Sequence, residues 1–462
     1  MAAEVREAKR DPLPSDLREN YLIAKATYEA MWQSQLDNWE VDPPPVPKFA
    51  EMVGTENFIS ENRLTHVKAA GEGSFATVDI CRLRSSNSGK DQLVAVKRLR
   101  PNSQIDLSVL ANEGKILRTL RHRNIASYIG IGASLRPTHS ARVGSGNHKE
   151  SYYIVQEYLD GGTLKHKVLE QMTNLGRLAY SNADACAWAE EVADGLAYLH
   201  SYNPQVIHRD VKLDNVLLRR RGKGRPEAAI CDFGLAVSVL NPSLGSKDRR
   251  SRLPRDISRC PSRVHTQMAR KERGEPVTDR SVAEKGRELD RALSTATTRG
   301  SRVSARTSCS TSSGMSAGLV HTVFDLTGRT GSYLYMSPEV ARCEPYNDRA
   351  DVFSFGVVLY ELLSREITAA FILANARRQD PELCELYAHK VSEGYRRPIP
   401  DDWPEDIKRL VEDCWAAEAN DRPPMRQVAM RLADFLASAE LEEWDRRALT
   451  QAKAFGCQCA VM

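Results

Sequence analysis

The sequence predicts an α+β chain of two lobes, a small antiparallel β lobe with one key helix followed by a larger helical lobe. Three patterns predict it. Residues 64–100 alternate around glycines as short antiparallel strands do. Residues 107–121 return to helical periodicity through Leu110, Leu117 and Leu120. After the strand-like YYIVQEYL at 152–159, Trp188, Val192, Leu196 and Leu199 form a helical stripe, and the second lobe begins there.

With 462 residues, 41% of them hydrophobic, the chain exceeds one minimal domain and has apolar content for a sizeable core. Its formal charge of +4 is small for that length, which argues against nucleic acid as a partner and gives no global pull towards lipid. The charge is unevenly placed. Residues 241–320 hold 17 Lys/Arg against 8 Asp/Glu, a local +9 that leaves −5 for the rest. Ten cysteines are scattered without disulfide or zinc spacing, and there is no secretory apolar segment. No stretch reaches the roughly 18 to 20 apolar residues of a membrane span. A reducing, cytoplasmic setting is expected, with any membrane contact peripheral.

Residues 1–60 read as an N-terminal extension. Tyr21, Tyr28, Trp32, Leu36 and Trp39 mark one face of a helix, which the PPPVP run at 43–47 ends and continues as a polyproline-like connector. That helix either packs on the adjoining domain or docks a partner, and PPPVP also has the PxxP spacing of an SH3 ligand. The main domain spans residues 61–439. Within it, residues 241–320 lose apolar periodicity and become rich in Ser, Thr and Arg, the composition of a disordered basic insertion. The insertion is either a phosphorylation-controlled tether, a patch for acidic partners, or a featureless spacer; loop-closure entropy grows slowly enough for the fold to tolerate it. Order should resume near His321. The tail, 440–462, ends CQCAVM, where Cys459 opens a C-a-a-X prenylation box whose final Met462 favours farnesyl, and Cys457 is a palmitoylation candidate. One prenyl chain anchors only marginally, and Arg446, Arg447 and Lys453 add weak basic help. The alternative is an arbitrary tail.

Chemistry-bearing motifs punctuate the main domain. GEGSFATV at 71–78 follows strand-like residues, and Gly71 and Gly73 let its backbone turn tightly and bring amide donors towards phosphates. VAVK at 94–97 comes next, and Glu113 lies 16 residues beyond Lys97 on the helical segment. IVQEYLDGG starts at 154. HRDVKLDN at 208–215 places a carboxylate, a lysine and an amide on one short loop. DFG at 232–234, SPE at 337–339 and NDRPPM at 420–425 complete the series.

In this order and near this spacing, the motifs resemble those of the protein kinase superfamily over residues 61–439 apart from the insertion. The resemblance implies the bilobal protein-kinase fold, with a five-stranded N-lobe, a helical C-lobe and ATP and Mg2+ bound between them. It implies that Gly71, Gly73 and Ser74 belong to the glycine-rich loop, whose third glycine is here Ala76. Val78 and Ala95 would cap one face of adenine and Leu217 the other, while the backbone of Glu157 and Leu159 would meet its edge beside the gatekeeper-like Gln156. Lys97 would hold the α- and β-phosphates and be fixed by Glu113. Asp210 would orient the acceptor hydroxyl and take its proton, and Lys212 would neutralise the γ-phosphoryl group. Asn215 and Asp232 would take magnesium, with Phe233 packing under the helix of Glu113 and joining His208 and Leu117 in an apolar column. Glu339 should pair with Arg422, and Asp351 should tie its helix to the HRD loop.

Lys212, and Ser332 in TGSYLYMSPE, lean the resemblance towards Ser/Thr acceptors. WEVDP, YMSPEV, DVFSFGVVLYELL and the CW and RP pairs look like the tyrosine-kinase-like group, with a Raf-like or mixed-lineage flavour. Arg209 beside Asp210 implies an activation segment whose phosphate pairs with it. Thr327 and Thr330 are the candidates, with Thr322 behind them, unless these threonines only shape a turn. Asp232 and Glu339 are 107 residues apart, far more than the family's segment needs, so the insertion must loop out of it. The expected partners are ATP, protein substrates and an upstream activating kinase. A tyrosine or dual-specificity enzyme is the alternative, and a pseudokinase scaffold is disfavoured because Lys97, Glu113, Asp210, Asn215 and Asp232 are all present.

Overall fold

The computed structural model describes residues 57–72, 76–85, 90–99, 107–137, 148–174, 177–240, 324, 326, 330–375 and 382–459. The helix expected before PPPVP, the basic insertion, Gly73, Ser74, Thr322 and Thr327 lie outside the described residues. The chain divides into two units: residues up to Leu120 together with Ser127–Tyr158, and Arg121–Ala126 together with everything from Leu159.

The first unit is built on one antiparallel sheet of five strands, β1 (Leu64–Glu72), β2 (Ala76–Leu83), β3 (Gln92–Leu99), β4 (Tyr128–Pro137) and β5 (His148–Glu157), in the order β1-β2-β3-β5-β4. Strand residues alternate between faces. On β3 this puts Val94, Val96 and Arg98 on one face and Ala95 and Lys97 on the other. Val94 and Val96 join Ile59, Cys81, Leu83, Tyr153 and Val155 in a buried cluster. Helix α1 (Leu107–Thr119) packs against β4 and β5.

This unit's core starts earlier than the boundary drawn at residue 61. Ile59 is buried, its amide donates to Ile131 O at 2.7 Å, and the Ile131 amide donates back to Asn57 O at 3.2 Å. The lead-in thus covers part of the β4 edge, which would otherwise present unpaired backbone groups.

The second unit contains α2 (Leu164–Thr173), α3 (Asn182–Ser201), β6 (Gln205–Ile207), β7 (Val216–Arg219), β8 (Glu227–Ile230) and β9 (Val237–Val239), then α4 (Pro338–Ala341), α5 (Arg349–Ser364), α6 (Thr368–Asn375), α7 (Glu382–Ser392), α8 (Glu405–Cys414), α9 (Met425–Leu436) and α10 (Ala439–Cys459). β6 pairs with β9 and β7 with β8, both antiparallel. A capping box opens α3, the Ser181 hydroxyl accepting from the Asp184 amide while the Asp184 carboxylate accepts from the Ser181 amide.

Every residue of α5 from Arg349 to Leu363 is buried, which explains why DVFSFGVVLYELL lacks a polar face. Gly356 is required there, because a Cβ would lie 2.9 Å from Cys414 Cβ and 3.2 Å from the Trp415 amide. α10 turns most of the expected tail into part of this unit. Leu441 and Trp444 are buried, and the Asp445 carboxylate caps α3 by accepting from the amides of Asn182 at 2.6 Å and Ala183 at 3.2 Å. The backbone stays helical to Cys459, but the side chains of Cys457 and Cys459 lie outside the described residues. Among the described residues no helix is long and apolar enough to cross a membrane.

Candidate active site

In the first unit, register decides which side chains meet. Val78 lies opposite Lys97, and Ala95 lies opposite Gln156. Val78, Ala95, Lys97 and Gln156 therefore share the sheet face turned away from the Val94–Val96 cluster. Lys97 Nζ donates to both carboxylate oxygens of Glu113, at 2.9 and 2.8 Å. Glu113 is 1% exposed, so its charge has left water and needs this ammonium. Gly71 stands at the exposed end of β1, opposite Val78. The Glu157 amide donates to Ser127 O at 2.9 Å, fixing the end of β5.

In the second unit, the HRDVKLDN loop follows β6 and ends in a 3-10 turn, Leu213–Asn215. The Asp210 carboxylate is its hub. Oδ2 accepts from Lys212 Nζ at 2.7 Å and Asn215 Nδ2 at 2.9 Å, and Oδ1 accepts from Ser332 Oγ at 2.9 Å. Lys212 Nζ also donates to Ser332 Oγ at 3.0 Å, closing a triangle of carboxylate, ammonium and hydroxyl. Asn215 Nδ2 donates further to Asp210 O at 2.8 Å. A backbone carbonyl only accepts, which fixes the amide's orientation and turns Asn215 Oδ1 the other way.

The loop is held from behind by Asp351 on α5. This fully buried carboxylate accepts from the amides of His208 and Arg209, each at 2.8 Å, and from His200 Nε2 at 2.9 Å. Burial alone would raise its pKa; the hydrogen bond and charge of His200 and the His208 contacts outweigh that and hold it below the usual carboxylate value. These bonds help to keep Arg209 at φ 65°, a left-handed conformation unfavourable for a residue with a Cβ. Asp232 is left-handed too, at φ 64°. His208 accepts from the Asp210 amide through Nδ1, which leaves Nε2–H to donate to Cys231 O at 3.2 Å. Its ring meets Phe233 edge-on, with centroids 4.9 Å apart. Leu159 is buried with Ala126 and Ala229, and Leu217 and Cys231 pack against that cluster.

Arg422 and Glu339 form a bidentate pair at 2.7 and 2.8 Å. Arg209 already donates to Leu235 O at 2.6 Å and Tyr346 Oη at 3.3 Å, and Arg209, Tyr346 and Thr330 line one small cavity. Sequence reasoning missed Gly331, for which a lone glycine gave no signal. Its φ is +96°, and a Cβ there would lie 2.4 Å from Arg209 O. Gly331→Ala is expected to push Thr330–Ser332 off the loop at a cost on the order of 1–3 kcal/mol, read as a lower urea midpoint.

Comparison with known proteins agrees with this geometry. A protein kinase domain model matches residues 64–250, and a protein tyrosine and serine/threonine kinase model matches residues 314–432. The chain belongs to the protein kinase family. The first match of this kinase-family chain contains Lys97, Asp210 and Asp232, the second Glu339, Asp351 and Arg422, and the break falls within the basic segment. The chain is 26% identical to serine/threonine-protein kinase VIK of Arabidopsis thaliana, over 84% of this chain and 63% of that one. It is 24% identical to mitogen-activated protein kinase kinase kinase 7 of Drosophila melanogaster, over 80% and 37%. It is 25% identical to dual specificity protein kinase shkA of Dictyostelium discoideum, over 82% and 50%. The matched region thus spans less than two thirds of each of these relatives.

Proposed function

We propose that this chain is a protein kinase that transfers the ATP γ-phosphoryl group to Ser/Thr hydroxyls of protein substrates. The observation that carries the reading is the Asp210–Lys212–Ser332 triangle, which gathers a base, a cation and a hydroxyl partner at one point. An acceptor hydroxyl fits there because each carboxylate oxygen has two lone pairs, so Asp210 can accept one more hydrogen bond without losing Lys212 or Ser332. Asp210 then orients the hydroxyl and receives its proton, while Lys212 offsets charge on the transferring group.

The donor set also fits magnesium, which keeps several waters and takes one or two protein oxygens plus substrate phosphates. Asn215 Oδ1 and the Asp232 carboxylate would hold it, and among the described residues no group of three His, Cys, Asp or Glu forms a protein-only cage. When bound, the ion supplies charge neutralisation at the phosphates. Each unit is proposed to supply its own nucleotide contacts: Gly71, Val78, Ala95, Lys97 and the Glu157 backbone from the first, Leu159 and Leu217 from the second. Phosphorylation at Thr330 by an upstream kinase would add charge beside Arg209.

The test is magnesium-dependent transfer from γ-labelled ATP to a generic protein substrate, followed by phosphoamino-acid analysis; no transfer with any acceptor refutes the reading. The relatives named dual specificity kinases favour a second reading, and phosphotyrosine in that analysis would select it. Ser332→Ala removes the hydroxyl shared by Asp210 and Lys212. It is expected to lower kcat about tenfold and leave nucleotide affinity unchanged, as loss of an interaction that acts on the transition state should.

A further inference from the structure

The guanidinium of Arg98, next to Lys97 on β3, is 95% buried at its side chain on the opposite face of the sheet. A charge so placed needs partners. Glu61, in the 3-10 turn Glu61–Arg63 that leads into β1, grips it with two bonds, NH1 to Oε2 at 2.8 Å and NH2 to Oε1 at 2.9 Å. Asp79 Oδ2 on β2 lies 3.3 Å from Nε, and the guanidinium carbon sits 4.6 Å from the centroid of the Tyr153 ring on β5. Tyr153 Oη donates to Ile59 O at 2.7 Å, and the turn is fixed at its far end where the Arg63 side chain and Arg84 O meet at 2.9 Å. One buried cation therefore joins the lead-in to β2, β3 and β5, at the register position adjoining the one where Lys97 faces Val78 and Ile154.

We infer that Arg98, clamped by Glu61, is a positioning residue for Lys97, so that the lead-in before β1 sets the Lys97–Glu113 half-site. Lys97 meets both Glu113 oxygens, at 2.9 and 2.8 Å, from a four-carbon stem of limited reach, so a displaced Cα shifts or lengthens those contacts. Bidentate Arg–carboxylate geometry fixes that end of β3 more tightly than a point charge can. The nucleotide consequence rests on the kinase reading, but the positioning itself does not.

The experiment uses the full chain and two readouts, amine acylation of Lys97 by an N-hydroxysuccinimide ester, followed by mass spectrometry, and Mg–ATP affinity. Glu61→Gln and Arg98→Met, at a temperature where both are folded, should speed Lys97 labelling at least about threefold relative to exposed lysines, with Arg98→Lys intermediate. Mg–ATP should bind correspondingly more weakly. Unchanged Lys97 labelling in folded variants of lowered Tm would make Arg98 a purely structural residue and overturn the inference. If Arg98→Met does not fold, the milder Glu61→Gln decides alone. Faster labelling in a chain whose wild type binds no Mg–ATP would uphold the clamp and count against the kinase reading instead.

Discussion

Asp210→Asn is expected to cut kcat by about a thousandfold, within the roughly 10²–10⁴ range of a positioned general base, while KM for ATP stays within a few-fold. The amide keeps the size of the carboxylate, so the loop still packs. It cannot keep the chemistry, because one of its two ends is a donor. Oδ2 now accepts from Lys212 and Asn215, and Oδ1 accepts from Ser332. Whichever way the new amide turns, its NH2 faces a donor or gives up the proton-accepting position. The fold should survive, because Asp351 holds the His208 and Arg209 amides without help from Asp210. Steady-state kinetics on a Ser/Thr peptide, with thermal unfolding as control, checks both halves. A kcat within tenfold of wild type would remove Asp210 from the chemistry.

That loop was legible in the sequence because its chemistry is local. HRDVKLDN sets Asp210, Lys212 and Asn215 within six residues, so spacing alone brings them together. Lys97 and Glu113 were legible for a related reason, the strand and helix periodicities on either side of residues 100–106 being intact. Contacts that depend on distant segments left no such trace. Asp445 caps α3 across 263 residues, and a single aspartate in a polar helix gives no hint of it. Ile59 reads as the end of an extension and Glu61 only as the first residue of the domain, because their partners, Tyr153 and Arg98, come from β5 and β3. Gly331 resembled any turn glycine until Arg209 O was seen to occupy the space of its absent Cβ. Motif spacing reports chemistry carried on one loop, while boundaries and close approaches emerge only when strands and helices pack.

Arg422→Ala should destabilise the second unit by about 3–5 kcal/mol, the usual cost of removing one partner from a buried ion pair. All five N–H donors of Arg422 are used. Nε donates to Ala416 O, NH1 to Glu339 Oε1 and Arg349 O, and NH2 to Glu339 Oε2 and Ala417 O, all between 2.7 and 3.1 Å. The side chain is 0% exposed, so truncation also opens a cavity and strands the Glu339 carboxylate away from water. For a domain of this size the loss corresponds to roughly 6–20 °C in Tm. Arg422→Lys should recover only part of it, since an ammonium cannot make the fork. The pair also predicts acid sensitivity. Burial opposes ionisation of Glu339, but the hydrogen bonds and charge of Arg422 outweigh it and lower its pKa. A depressed carboxyl pKa means that the unfolded chain binds the proton more readily. The stabilisation is therefore full above the unfolded Glu value of about 4.3 and is lost as pH falls from there through the folded value. Glu361, whose pKa burial raises, acts in the opposite sense, so the useful quantity is a difference between variants. Between pH 7 and pH 3, wild type should lose more stability than Glu339→Gln, by urea unfolding at each pH. Equal losses would show that the Arg422 pair does not govern acid unfolding, and an unchanged urea midpoint in Arg422→Ala would show that the second unit does not depend on it.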